Sequence, residues 1–126
     1  MALWLEGPLL DSVNGLLPEA NRLIVATMTN SNGRLLAIDY QTREITVLAE
    51  GIGRGDGIGA LGQGRYIVRS VPGQMQVVSA DGAVRAILDT TGEQRTLNDF
   101  HLEGARLYQA HLNTHEITAY DVTGVR

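Results

Sequence analysis

Residues 55–69 read G-D-G-I-G-A-L-G-Q-G-R-Y-I-V-R: an acidic residue, a glycine-punctuated apolar stretch, then an arginine that opens an apolar strand. The same order occurs twice more. Residues 13–26 read V-N-G-L-L-P-E-A-N-R-L-I-V-A, and residues 97–110 read L-N-D-F-H-L-E-G-A-R-L-Y-Q-A. Asn14, Asp56 and Asn98 anchor the three stretches at intervals of 42 residues. Arg22, Arg65 and Arg106 follow the anchors by 8, 9 and 8 residues, which predicts one inserted residue in the second turn. The whole chain is 126 residues, three times the interval.

The remainder of each repeat also aligns. Turn sequences follow the arginine strands: N-S-N-G at 30–33, P-G at 72–73 and N-T at 113–114. Gly and Asn accept positive φ and Pro fixes φ, so these residues turn the chain for physical reasons. Third strands follow as R-L-L-A-I-D-Y, Q-M-Q-V-V-S-A and E-I-T-A-Y-D-V. Turns at Gln41-Thr42, Asp81-Gly82 and Thr123-Gly124 come next, and E-I-T-V-L and V-R-A-I-L supply fourth strands to the first two repeats. Asp-Gly between apolar runs is a strong hairpin signal. The runs are rich in Val, Ile, Thr and Tyr, and no amphipathic helix interrupts them.

Four short antiparallel strands repeating every ~40–45 residues describe a propeller blade. The expected fold is all-β: half of a β-propeller with three four-stranded blades. Blade one covers 13–51, blade two 55–91 and blade three 97–124, the last with three strands only. Its fourth strand is expected at residues 2–6, where A-L-W-L-E-G aligns with I-T-V-L-A-E-G. Propellers have at least ~4 blades, so three blades predict completion by a second copy. The expectation is a two-fold homodimer with six blades, in which residues 2–6 of each chain pair with residues 115–122 of the other.

Composition narrows the chemistry. There is no cysteine, which excludes disulfides, thiolate zinc sites and thiol nucleophiles. All 10 basic residues are Arg, so Schiff-base chemistry and a P-loop lysine are excluded. A net charge of -4 argues against nucleic acid as a partner. No apolar run approaches the roughly 18 residues of a membrane span, and the first residues lack a signal-peptide pattern. The compartment is left open.

The segment W-L-E-G-P-L-L-D-S-V-N-G-L-L, with G-R-L-L-A-I-D, G-D-G-I-G and A-Y-D-V, resembles a known group. It looks like the C-terminal half of bacterial propellers of the senescence-marker-protein, gluconolactonase and luciferin-regenerating-enzyme superfamily, which are often exported. The resemblance implies a divalent cation, usually calcium, at the channel mouth, together with a small polar ligand and lactone hydrolysis. In that group a Glu, an Asn and an Asp hold the metal. Asn14 and Asp56 stand at the Asn and Asp positions. Glu6 mimics the E-G-P motif but lies 16 residues before Arg22 and aligns with the end of a fourth strand.

Read without the family, Asn14, Asp56 and Asn98 begin the innermost strand of each blade, with Asp99 beside the last. Their oxygens suit a hard cation, for which about six oxygen ligands are needed. The competing role is turn formation. Asp56 and His101 are the candidate catalytic groups, since His titrates near neutrality. His111 and His115 have helical metal-site spacing but lie on either side of a turn, so strand-face or surface roles are expected. Gly57-x-Gly59-x-x-Gly62 matches a dinucleotide fingerprint only in letters, because no helix follows. Crowding of the inner strand near the axis accounts for these glycines better. Arg54-Gly55-Asp56 spells an adhesion tripeptide, but the repeat turns Asp56 toward the channel. Arg22, Arg65 and Arg106 are expected to clamp turns or bridge blades, and Trp4 to pack at an interface. Leu23, Val25, Ile38, Val47, Ile67, Val77, Ile87, Leu107 and Tyr120 are the expected core between blades. A non-catalytic assembly scaffold, or a fragment of a longer single-chain propeller with no retained ligand site, is the alternative to the lactonase-like site, and a third carboxylate, Glu6 or Asp99, within reach of Asn14 and Asp56 discriminates them.

Overall fold

The computed structural model describes residues 1–29, 32–71, 73–89, 97–111 and 114–125, and the side chains of residues 97 and 98 lie outside that set. Among the described residues eleven strands and two short 3-10 turns account for the regular structure. The first sheet contains β1 (Val13–Pro18), β2 (Arg22–Thr27), β3 (Arg34–Asp39) and β4 (Ile45–Glu50). The second contains β5 (Arg54–Gly62), β6 (Arg65–Val71), β7 (Gln74–Val78) and β8 (Val84–Asp89). The third contains β9 (Leu97–Glu103), β10 (Arg106–His111) and β11 (Ile117–Asp121). Each sheet is an antiparallel meander in chain order. Each repeat has therefore become one blade.

The blades stack face to face. β5 lies against β1 and β2, and β9 against β5 and β6, so the first strands of the blades are neighbours. Strand alternation sends one set of side chains to each side. Ile24, Ala26, Leu35 and Ala37 of blade one meet Tyr66, Val68 and Val78 of blade two in one buried cluster. Ile67, Met75 and Val77 leave the other face of blade two and join Leu107 of blade three. Burying an aliphatic side chain contributes about 1.5–3 kcal/mol, so these two clusters hold the three blades together.

The free side of blade one carries a third cluster. Val25, Leu36 and Ile38 are covered there by Leu5, Leu9 and Leu10 of the N-terminal segment. A 3-10 turn at Pro8–Leu10 brings the leucines back onto the sheet. Residues 1–7 carry no strand within the single chain. Trp4 packs on Tyr40 with ring centroids 6.3 Å apart.

Two details differ from the sequence reading. The residue inserted in the second repeat lies in a strand, not in the turn. Pairing steps from Ala60–Tyr66 to Gly62–Arg65, leaving Leu61 in a bulge, where it is buried against blade three. The turn stays a tight hairpin at Gln63 and Gly64, both with positive φ. Val47, expected in the core, is exposed. It pairs with Leu36 on the side of blade one that no other blade covers. The turns expected at 30–33, 72–73 and 113–114 each include residues outside the described set. Among the described residues no helix is long and apolar enough to cross a membrane.

Candidate functional site

The anchors sit where the inner strands lose register. In β1 the pairing skips Asn14, and in β5 it skips Asp56 and Gly57. In β9 it is irregular between Leu97 and Phe100. A bulge re-aims side chains and often sits at sheet rims, so the 42-residue signal marks a recurrent bulge at one end of the blades. The first two anchors come together. The Asn14 side-chain amide donates to the Gly55 carbonyl at 3.4 Å, next to Asp56. The backbones approach so closely that a Cβ on Gly15 would lie 1.6 Å from the Asp56 carbonyl oxygen. β5 is also pressed against β9: Phe100 covers Gly57 and Gly59, and Asp99 Oδ1 lies 3.6 Å from where a Gly57 Cβ would be. The glycines at 57 and 59 thus admit an aromatic ring from the next blade, and β5 leads into β6 with no helix for a dinucleotide.

A residue absent from the sequence expectations occupies the centre. Arg69 of β6 stands opposite the Asp56–Gly57 bulge and donates through Nη1 to the Asp56 carboxylate. Only 4% of its side chain is exposed. Burial lowers the Arg69 pKa from its ordinary value, and Asp56 and then Asp99 oppose that shift. One guanidinium is therefore shared electrostatically between two carboxylates. Gln109, fully buried, donates to the Asp99 carbonyl at 3.0 Å and holds β9 in place. The repeat does contain a signal for Arg69: the equivalent positions four residues after Arg22 and Arg106 are Ala26 and Ala110.

The other candidates are dispersed. Asp99 Oδ1 accepts from the Phe100 amide at 2.9 Å. The Asn98 side chain lies outside the described set. His101 points to the exposed surface with its ring 3.1 Å from Glu103. It borders a 330 Å³ depression shared with Leu17, Ile58, Ala60, Phe100 and Leu102, from the inner strands of all three blades. Glu6 lines the groove on the free side of blade one, far in chain position and in surroundings from Asp56. Among the described residues no three His, Cys, Asp or Glu side chains gather as metal ligands. His111 is buried in β10 and bonds Thr118 at 2.8 Å, a strand-face role, while His115 is exposed.

One recurrent arginine bridges blades. Arg22 donates to Glu19 in the turn before it at 2.8 Å and to the Tyr66 hydroxyl of blade two at 3.0 Å. Tyr66 in turn donates to Glu19 at 2.9 Å. Burial first and Glu19 second raise the Tyr66 pKa, and the hydrogen bond to Glu19 raises that of Arg22.

No family model and no curated protein matches the chain. Solved structures do. A chain of the nidogen/laminin complex superposes with a TM-score of 0.72 at 11% identity, covering 91% of this chain and 45% of that one. The computationally designed Ika8 protein superposes with a TM-score of 0.59 at 12% identity, covering 87% of this chain and 33% of that one. The chain thus spans less than half the length of each of these two. At such identities the likeness concerns the fold alone, and that fold is all-β and propeller-like.

Proposed function

We propose that the chain is one half of a six-bladed propeller and serves as a non-catalytic assembly scaffold. The observation that carries this reading is the Arg69–Asp56 pair. A cation site of the gluconolactonase type needs Asp56 free and several more oxygen donors. Here a buried guanidinium already neutralises Asp56 and sits near Asp99. Of the two carboxylates that could complete the set, Glu6 lines another surface, and Asp99, which lies at this end, faces the same guanidinium. With Arg69 already committed to Asp56, the described side chains at this end offer no free group to take the place of a metal in polarising a lactone carbonyl or acidifying a water. Fold likeness does not supply an activity by itself.

The superfamily reading keeps one support: Asn14 and Asp56 are adjacent, and Asp99 is the additional carboxylate at the same end. Calorimetric titration of the protein with calcium separates the two. The scaffold reading expects no saturable heat at millimolar calcium. Saturable binding abolished by Asp56→Ala would overturn it in favour of a cation-dependent site.

A further inference from the structure

The repeat makes each blade interface a copy of the next, and the two outer faces carry the corresponding positions. At the first interface Ile24 and Leu35 face blade two; at the second, Ile67 and Met75 face blade three. These four side chains are at most 1% exposed. Strand pairing identifies their counterparts in blade three as Tyr108 and Ile117. Tyr108 is 40% exposed and Ile117 is 77% exposed. On the receiving side the contrast lies in β1, because Val25 and Ile38, the counterparts of Val68 and Val78, are already covered by Leu5, Leu9 and Leu10. Ile58 of blade two packs into the first interface, and its counterpart in blade one, Leu16, is 57% exposed.

Resting on the half-ring reading, we infer that the blade-three face of one chain docks on the blade-one face of a second copy in the register of the internal interfaces. Tyr108 takes the place of Ile24 and Ile67, and it enters the 440 Å³ groove between the N-terminal segment and Leu16, Leu23 and Val25. The covering residue from the loop is already present. Leu10 lies 42 residues before Ile52, the loop side chain fully buried at the first interface, and it already packs on Val25 and Ile38. The occupant is a second copy because the two faces carry complementary positions of one repeat. The number of copies follows from blade count: copies add three blades at a time, and six is the only multiple of three within the usual range of ~4–8. In such a ring both junctions are identical, as two-fold closure requires.

The test is sedimentation velocity of the purified chain from 1 to 100 µM, with Tyr108→Glu, Ile117→Glu and the control Arg85→Glu on the edge strand of blade two. Circular dichroism verifies that each variant remains folded. The expected result is a species of twice 13.6 kDa for wild type and control. Each face variant should weaken dimerisation at least tenfold. The absence of cysteine permits a second readout. Tyr108→Cys and Leu16→Cys proteins, mixed and oxidised, should give a disulfide-linked pair far more efficiently than either alone. A monomer at 100 µM would overturn the half-ring itself. A dimer indifferent to both face variants, or cross-linking no better in the mixture, would overturn only the docking register.

Discussion

Arg69 reaches the Asp56 carboxylate from a site in which its own side chain is almost completely enclosed. Removing one member of such a pair is more harmful than the net value of the pair suggests, because the partner is left charged and desolvated. Asp56 is itself about one-third exposed, which screens the interaction and discounts the effect. Asp56→Ala should therefore cost about 2 kcal/mol, below the range for a fully buried pair. Arg69→Met, which removes the charge and keeps the volume, should cost less. Urea unfolding midpoints of the two variants check the order.

The same pair governs cation binding. Arg69→Met leaves Asp56 and Asp99 near one another with no compensating charge. Two carboxylates plus the Asn14 amide and water fall in the class of weak, extracellular-type calcium sites, with dissociation constants of about 10⁻⁴–10⁻³ M. Calcium titration of Arg69→Met should show binding in that range, while wild type shows none. An Arg69→Met protein that ignores millimolar calcium would mean that Asn14, Asp56 and Asp99 are too far apart or too few to act as ligands.

The strands were legible because alternation and turn chemistry agree throughout the repeat. The 42-residue interval also located the anchors, yet it did not reveal that they are bulges, since a bulge depends on pairing with the next strand. Arg69 was readable only by comparison with Ala26 and Ala110, where the other two blades keep a small residue. Val47 shows a different limit. Alternation tells which face a residue takes, and it cannot tell whether another blade covers that face. The spacing of Arg65 from Asp56 shows that the second repeat has one more residue but not where, and burial of Leu61 against blade three puts the insertion in the strand rather than the turn.

Tyr66 links blades one and two through Glu19 and Arg22. Tyr66→Phe removes the hydroxyl but leaves the Arg22–Glu19 pair intact, so the loss should be about 1.5 kcal/mol. The pH dependence has a definite sign. The folded protein disfavours the tyrosinate, because burial and Glu19 raise the Tyr66 pKa above its ordinary value. Stability from this source is complete below the unfolded pKa of about 10 and declines as pH rises above it. Urea midpoints between pH 8 and 11 should fall more steeply for wild type than for Tyr66→Phe.

Gly15 marks the closest approach of the first two blades. A methyl group there would collide with the Asp56 carbonyl oxygen, which is backbone in the bulge of β5 and has no rotamer to yield. Blade two would have to move away from blade one, loosening the cluster around Ile24 and Val68. Gly15→Ala should therefore destabilise by about 3 kcal/mol, the upper end for overpacking. Gly7→Ala is the matched control, since nothing lies within 4 Å of its position and its backbone is extended. That change should stay within about 0.5 kcal/mol, as surface substitutions do. Thermal unfolding of both variants measures the difference. Equal midpoints would show that the β1–β5 approach is not what holds the inner strands together.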